Sequence, residues 1–580
     1  MPRLLTSPPA SSRWCCGRPP CRPPPPHPPA VPPPSSGAAL QGEVRVDAQL
    51  VRWLRPHQRE GLAFMFDCVM GLRLAGGRGC ILADDMGLGK TLQGLALLWT
   101  LLTAPAHPDL MAAGLGPIAR RALIVCPTSL VSNWDSEARK WLGGRLATLA
   151  LCKASKEEVV EGIQHFLHPS NPYKVLIVSY ETFRLHGDRF NQPGSCDLLI
   201  CDEAHRLKND ATLTNRALGS LPCKRRVLLS GTPMQNHLDE FYAMVDFANP
   251  GVLGTPTEFR RSYEVPILAA REPGASPEAA ALGAERSLAL STLVNAFILR
   301  RTNSLLSAHL PPKVVQVVCC KLMPLQHAIY CHFLESKAAR KILGGRGTSG
   351  VLPAISNLKK LCNHPKLIYD AVHRLNAGRV RGCTCRGVAA LFPPCLFDDG
   401  RPGRGGCAPG WETTSGKFAV ATRMLALLWA ETQDRIVIVS NYTQTLDLFG
   451  QLCRERGWPF LRLDGSTSIE KREKLVQAFC DPSQNQFVFL LSSKAGGCGL
   501  NLVGGNRLLL YDCDWNPAVD KQAAARVWRD GQQKRVFVYR FLATGTIEEK
   551  VFQRQISKEG LQALVANANE AQVAGDTTGV

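Results

Sequence analysis

The chain has 580 residues, 45% of them hydrophobic and 20% charged, a composition that suits a globular protein of roughly two to four domains. No stretch approaches the ~18 consecutive apolar residues a membrane span needs, and prolines interrupt every apolar region near the N-terminus, so neither a span nor a secretory signal is expected. Lys plus Arg exceed Asp plus Glu by 68 to 48, a net charge of +20 that favours a polyanionic partner, nucleic acid ahead of an anionic membrane surface. The 22 cysteines are scattered, several in apolar runs such as "LLICDE" and "VVCCKL", as reduced thiols in an intracellular protein are.

In chain order, residues 1–40 are proline-rich and cannot bury a core, which predicts a disordered or polyproline tail. Residues 41–250 alternate short apolar runs with helical patterns. The predicted strands are "CILADD" (80–85), "ALIVCP" (122–127), "VLIVSY" (175–180), "LLICDE" (198–203) and "VLLSGTP" (227–233). Continuous apolar strands separated by helices indicate a parallel sheet covered on both faces. Residues 251–375 read as a mostly helical insertion and bridge, and 376–414 as a Gly/Pro/Cys-rich loop. The strand grammar returns over 415–556 with "RIVIVS" (435–440), "FLRLDG" (460–465), "FVFLLSS" (487–493), "RLLLYD" (507–512) and "VFVYRF" (536–541), before a tail at 557–580. The fold class is therefore α/β, with two parallel-sheet lobes.

Residues 81–91 read "ILADDMGLGKT". A strand enters a turn at Asp85, and the turn, Met86–Gly87–Leu88–Gly89, opens a helix that carries Lys90 and Thr91. Gly87 and Gly89 let backbone approach phosphate oxygens, and the helix N-terminus aims its N–H groups at them. Lys90 suits the β- and γ-phosphates and the Thr91 hydroxyl suits Mg²⁺. The usual loop pattern wants a glycine where Asp84 stands, so the turn alone is an imperfect match. The second piece is "LLICDEAHRLKN", with Asp202 and Glu203 at a strand end, where α/β sheets bind ligands. One carboxylate there can hold Mg²⁺ through water and the next can orient and deprotonate an attacking water. An acidic strand end that merely caps the next helix is the bland alternative, weakened by the phosphate loop in the same sheet. Gln58, in "LRPHQREGLAFM", could read an adenine edge, and a surface glutamine would explain it equally.

In "DKQAAARVWRDGQ", Arg526 and Arg529 are spaced to share a helix face, as residues that complete a phosphate site or as a solvated basic face. "DDMGLGKT", "DEAHRLKN", "LLSGTPMQN", "LLSSKAGGCGLNL" and "QAAARVWRDGQ" occur in an order that resembles superfamily-two helicase-like ATPases of the SWI/SNF type. "LRPHQREG", "FILRRT", "LPPK" and "LCNHPKLI" point further, to the homologous-recombination branch, the Rad-fifty-four-like translocases and their B-type group. The resemblance covers about residues 45–560. It implies two RecA-like lobes, ATP with Mg²⁺ as cofactors, and an acidic residue where Asp84 stands. It also implies ATP-driven tracking on double-stranded DNA without strand separation, work on RecA-like recombinase filaments, nucleosomes as a related substrate, and a nuclear location. Arg526 and Arg529 become arginine fingers, worth roughly 10³–10⁵ in rate where such fingers exist. Ser230, Thr232 and Gln522 become coupling residues. Thr128, Ser129 and Asn133, with Ser493, Lys494 and Gly496, become contacts to the DNA backbone, which position a duplex without reading its sequence. Arg300 and Arg301 could anchor a brace or touch phosphate. A strand-separating helicase and a non-catalytic DNA- and recombinase-binding scaffold are the competing readings. Cys383, Cys385, Cys395 and Cys407 lack paired C-x₂-C spacing, which argues against structural zinc.

Overall fold

The computed structural model describes residues 4–5, 44–104, 117–152, 154–209, 212–231, 238–270, 272, 274–306, 310–335, 351–376, 388–393, 396–397, 409–495 and 500–566. Thr232, Gly496, the four cysteines of the zinc question and nearly all of the proline-rich start lie outside these residues. Within that start, β1 (Leu4–Leu5) pairs in parallel with β2 (Val44–Arg45). The chain forms two compact units whose main boundary falls between Arg300 and Arg301.

The first unit holds a seven-stranded parallel sheet. Its strands are β3 (Gly79–Leu82), β4 (Ala122–Cys126), β5 (Thr148–Ala150), β6 (Val175–Ser179), β7 (Leu198–Asp202), β8 (Arg225–Leu229) and β9 (Ile298–Leu299), in the order β5-β6-β4-β7-β8-β3-β9. The central strands are buried at every residue, which is why their sequences are continuous apolar runs rather than alternating ones. Helices cover the faces with apolar stripes. In Lys156–Leu167 the buried residues are Val159, Ile163 and Phe166, spaced at helical period, and Ser155 with Glu158 forms a reciprocal capping box.

The second unit repeats the plan with six parallel strands in the order β10-β15-β14-β11-β13-β12. They are β10 (Lys313–Cys320), β11 (Ile436–Ser440), β12 (Phe460–Leu463), β13 (Val488–Ser492), β14 (Arg507–Leu510) and β15 (Val536–Ala543). An aromatic stack anchors its core, with Phe418 and Phe449 centroids 4.7 Å apart and Tyr511 edge-on to Phe449 at 4.9 Å. All ten strands expected from sequence are present, and both sheets are parallel. The stretch 251–375, read as mostly helical, also carries two strands. Its first half, with the helix Pro277–Val294 and β9, belongs to the first unit, and its second half supplies β10, an edge strand of the second sheet. Among the described residues no helix is long and apolar enough to cross a membrane.

Candidate nucleotide site and strand-end networks

The segment after β3 turns through Asp85, Met86, Gly87 and Leu88 and enters the helix Lys90–Thr103, with Gly89 at the N-cap. Gly87 and Gly89 sit at φ +94° and +79°, where a side chain is strained. A Cβ on Gly89 would lie 2.2 Å from the Gln58 Nε2, so only glycine fits. Gln58 itself is buried, and its amide is engaged at both ends: Nε2 donates to the Leu88 carbonyl at 3.1 Å and Oε1 accepts from the Arg55 N–H at 3.0 Å. The group expected to read an adenine edge here braces the loop from below. Asp84, the residue that spoils the usual motif, is a fully buried acceptor, taking a bond from Gln93 Nε2 at 3.2 Å, while Lys90 Nζ donates to its carbonyl at 2.6 Å. A glycine there could make no side-chain bond. Thr91 follows Lys90 in the first turn, half-buried.

β7 ends at Asp202, 7% exposed, with Glu203 beside it at 6%. Asp202 Oδ2 accepts from the indole of Trp134 at 2.9 Å, Oδ1 accepts from the Glu203 N–H at 2.9 Å, and the Asp202 carbonyl accepts from the Tyr180 hydroxyl at 2.8 Å. Burial and then the neighbouring Glu203 charge push the Asp202 carboxyl up to about 6, with Trp134 and the Lys90 ammonium pulling the other way. Glu203 is the sole non-glycine residue of positive φ among the described residues, at 50°. Strain of about 1–3 kcal/mol at such a residue persists where surrounding structure over-determines it, and it clusters at functional positions. His205 Nδ1 approaches Glu203 Oε2 at 3.4 Å. Trp134 gave no signal in sequence. It reaches Asp202 because Gly94 on the neighbouring helix leaves room: a Cβ there would lie 3.2 Å from the indole ring.

An acidic, poorly hydrated carboxylate with a hydroxyl residue in the adjoining helix is the donor chemistry that Mg²⁺ takes, oxygen ligands with water completing the shell. The raised Asp202 carboxyl makes the same point, since a bound cation relieves the cost of its charge. The residues present therefore fit the metal.

The remaining expected residues are placed as follows. Ser230 is buried beyond β8, its N–H donating to the Leu82 carbonyl at 3.1 Å. Thr128 and Ser129 begin a short 3₁₀ turn after β4, and Asn133 is exposed on the helix that follows; Thr128 Oγ1 donates to Glu181 at 3.3 Å. Arg300 and Arg301 follow β9 directly. In the second unit Ser493 and the exposed Lys494 follow β13, and Ser493 Oγ donates to Asn441 Oδ1 at 2.5 Å. Gln522 is half-buried on the helix Pro517–Ala524.

Arg526 and Arg529 do not share a helix face. The helix ends at Ala524, and both lie in the turn beyond it, where the Arg526 carbonyl accepts from the Leu502 N–H at 3.0 Å. That bond draws the chain off the helical path. Arg526 is 2% exposed, and Arg529 donates to the Leu500 carbonyl at 3.1 Å.

Sequence reasoning also missed a buried polar network under the second sheet. Lys417 Nζ donates to Glu548 Oε1 at 2.7 Å, to Asn363 Oδ1 at 2.8 Å and to the Tyr511 carbonyl at 2.9 Å. Asn363 Nδ2 donates onward to Asp512 Oδ2 at 2.8 Å, and Asp512 Oδ1 accepts twice from Asn441, at 2.8 and 2.7 Å. The chain of bonds thus runs from Glu548 to Ser493.

Residues 57–367 match the SNF2-related domain, and residues 416–531 match the helicase conserved C-terminal domain. The chain is 63% identical over 528 residues to the DNA repair and recombination protein RAD54 of Oryza sativa subsp. japonica, covering 90% of this chain and 52% of that one. It is 48% identical to the DNA repair and recombination protein RAD54-like of Homo sapiens, covering 91% and 68%. It thus spans about half the length of the rice relative. The solved Sulfolobus solfataricus SWI2/SNF2 ATPase core in complex with dsDNA aligns at 25% identity over 89% of this chain and 93% of that one, with a TM-score of 0.37. The chain belongs to the SNF2-related family, carries a helicase conserved C-terminal domain, and is similar to relatives named as RAD54-like DNA repair and recombination proteins.

Proposed function

We propose that the protein is an ATP-hydrolysing motor that tracks along double-stranded DNA without separating its strands, and that it remodels recombinase–DNA complexes, with nucleosomes as a related substrate. One observation carries the catalytic half of this reading. At the end of β7 a buried carboxylate pair, Asp202 and Glu203, lies within electrostatic reach of Lys90. In this assignment Lys90 and the N–H groups of Gly87–Thr91 hold the β- and γ-phosphates, and Gln58 and Asp84 keep the loop in shape. Asp202 and Thr91 would hold Mg²⁺, which when bound neutralises charge on the phosphate oxygens. Glu203 is assigned to the attacking water, because its φ of 50° aims it differently from a strand residue. Arg526 and Arg529 are assigned to the transition-state charge, and Ser230, Thr232 and Gln522 to coupling.

The duplex is assigned to the loops after β4 and β13, through Thr128, Ser129, Asn133, Ser493, Lys494 and Gly496. Contacts of this kind read the backbone, so binding should be nearly sequence-independent. The recombination role rests on relatives named as DNA repair and recombination proteins, and the same kinship supports a nuclear location. Glu203→Gln tests the core of the reading. It should retain nucleotide binding, measured with a fluorescent ATP analogue, while hydrolysis falls at least about a hundredfold. Normal turnover in that variant would assign the water to another group.

A further inference from the structure

At the opposite end of the first sheet from the Lys90 loop lies a cavity of about 680 Å³. It is walled by the loop that leads into β3, the turn that leads into β8, and the segment that follows the helix Leu238–Ala248. Among its lining residues are Arg78, Lys224 and Arg226, and no lining residue is acidic or aromatic. Arg226 is structural: it is buried and donates to the carbonyls of Cys223, Phe247, Gly219 and Leu221. Arg78 and Lys224 are different. Both are exposed, and neither side chain takes part in a hydrogen bond or ion pair among the described residues. Arg225, next in the chain, has its Nε buried without a hydrogen-bond partner, and burial first and then the nearby Arg78 disfavour its charge. Asp197 supports the Arg225 charge and Asp246 the Arg226 charge, and among the described residues neither carboxylate pairs with Arg78 or Lys224. Asp197 accepts from the N–H groups of Arg120 and Arg121, and Asp246 accepts from the Gly251 N–H at the rim.

Arg78 and Lys224 line one cavity with no acidic residue in its wall, and like charges held near each other favour an anion between them. The lining limits which anion. A small metabolite site would bring apolar and aromatic walls with a few convergent polar groups, and a protein partner would be anchored by large apolar side chains. Here the wall is glycine, proline and a few aliphatic side chains with no aromatic residue, and its exposed charged groups are long flexible cations, the chemistry that meets phosphate oxygens along a strand. We propose that this cavity is a second phosphate-backbone site for nucleic acid, made by Arg78 and Lys224 and remote from the strand-end loops by the length of β3, ~10 Å or more. It rests on the reading that the chain binds duplex DNA. It would give the first unit two separate grips on a polyanion, one at each end of its sheet.

The test measures affinity of the full chain for a short duplex by fluorescence anisotropy across a range of salt. The double variant Arg78→Gln/Lys224→Gln should reduce the magnitude of the log–log salt slope by ~1.8, that is about 0.9 for each phosphate no longer neutralised. The control, Arg260→Gln/Arg261→Gln, removes the same charge from exposed positions elsewhere on the unit and should leave the slope unchanged. Thermal midpoints report that both variants fold. An unchanged slope in the first variant, or an equal change in both, overturns the cavity proposal while the duplex reading stands. Failure of the parent chain to bind duplex overturns that reading and the cavity with it.

Discussion

Each sheet places an aspartate just where a central strand ends, and the two are treated in opposite ways. Asp512, past β14, accepts from Ser440 Oγ, Asn363 Nδ2 and both nitrogens of Asn441. Asp202, ending β7, has one side-chain donor, the Trp134 indole, and sits beside a second carboxylate. The first is consumed by the structure and the second retains bonding capacity at a cost in stability. A carboxylate raised to about 6 lowers stability as pH rises from its unfolded value toward 6, because the folded state holds the proton longer. A sequence pattern of apolar strand plus acid occurs at both places ("LLICDE" and "RLLLYD"). What the acid is for depends on its donors.

The largest break in this comparison comes from the satisfied network. Glu548→Ala leaves the Lys417 ammonium, 1% exposed, with its principal counter-charge gone. The second unit should lose about 3–5 kcal/mol, read by chemical denaturation; a loss below ~1 kcal/mol would mean the pair is dispensable. Next come the two aspartates themselves. Asp512→Asn turns an amide toward groups that donate and should destabilise by ~2–3 kcal/mol. Asp202→Asn should be neutral or stabilising, since it removes a buried charge set against Glu203, while ATP hydrolysis is lost. Equal destabilisation by both would erase the distinction between the two strand ends.

His364 sharpens the picture through pH. Its Nε2 lies 3.2 Å from the Trp411 carbonyl and its Nδ1 accepts from the Lys366 N–H, so the neutral ring is fully used and burial pushes it down to about 3. The unfolded chain protonates from about 6.5 downward while the fold does not, so stability is full above that value and falls as pH drops toward 3. By pH 5 the loss is about 2 kcal/mol. The stability gap between parent and His364→Gln should therefore narrow by that amount between pH 7.5 and 5, and a constant gap would contradict it. The smallest effect is Trp134→Phe, ~1 kcal/mol from one hydrogen bond removed. It should also move the acid limb of ATP hydrolysis upward in pH, because the indole is the leading influence holding Asp202 down.

What could be read in advance follows from the range of each interaction. Strands buried on both faces announce themselves as apolar runs, so all the central strands were legible. The missed ones sit at edges or are very short: β5 is half-buried, β9 has two residues, and β10, "KVVQVVCC", is largely exposed along its length. β10 also follows a long helical stretch, whose pattern dominates its neighbourhood. The glycine turn before Lys90 and the Asp202–Glu203 pair were legible because their residues are adjacent in sequence. Trp134 and Asp202 are 68 positions apart, and Lys417 and Glu548 are 131 apart, so no local pattern links them. The spacing of Arg526 and Arg529 suits a helix. A single carbonyl accepting from Leu502 ends that helix early, a tertiary bond that propensity does not see.

The central claim is tested most directly by steady-state ATP hydrolysis of the purified chain with no DNA, with single strands and with duplex, beside Lys90→Ala. The account predicts strong stimulation by duplex and none in the variant. Stimulation chiefly by single strands, or duplex binding without turnover, would contradict it.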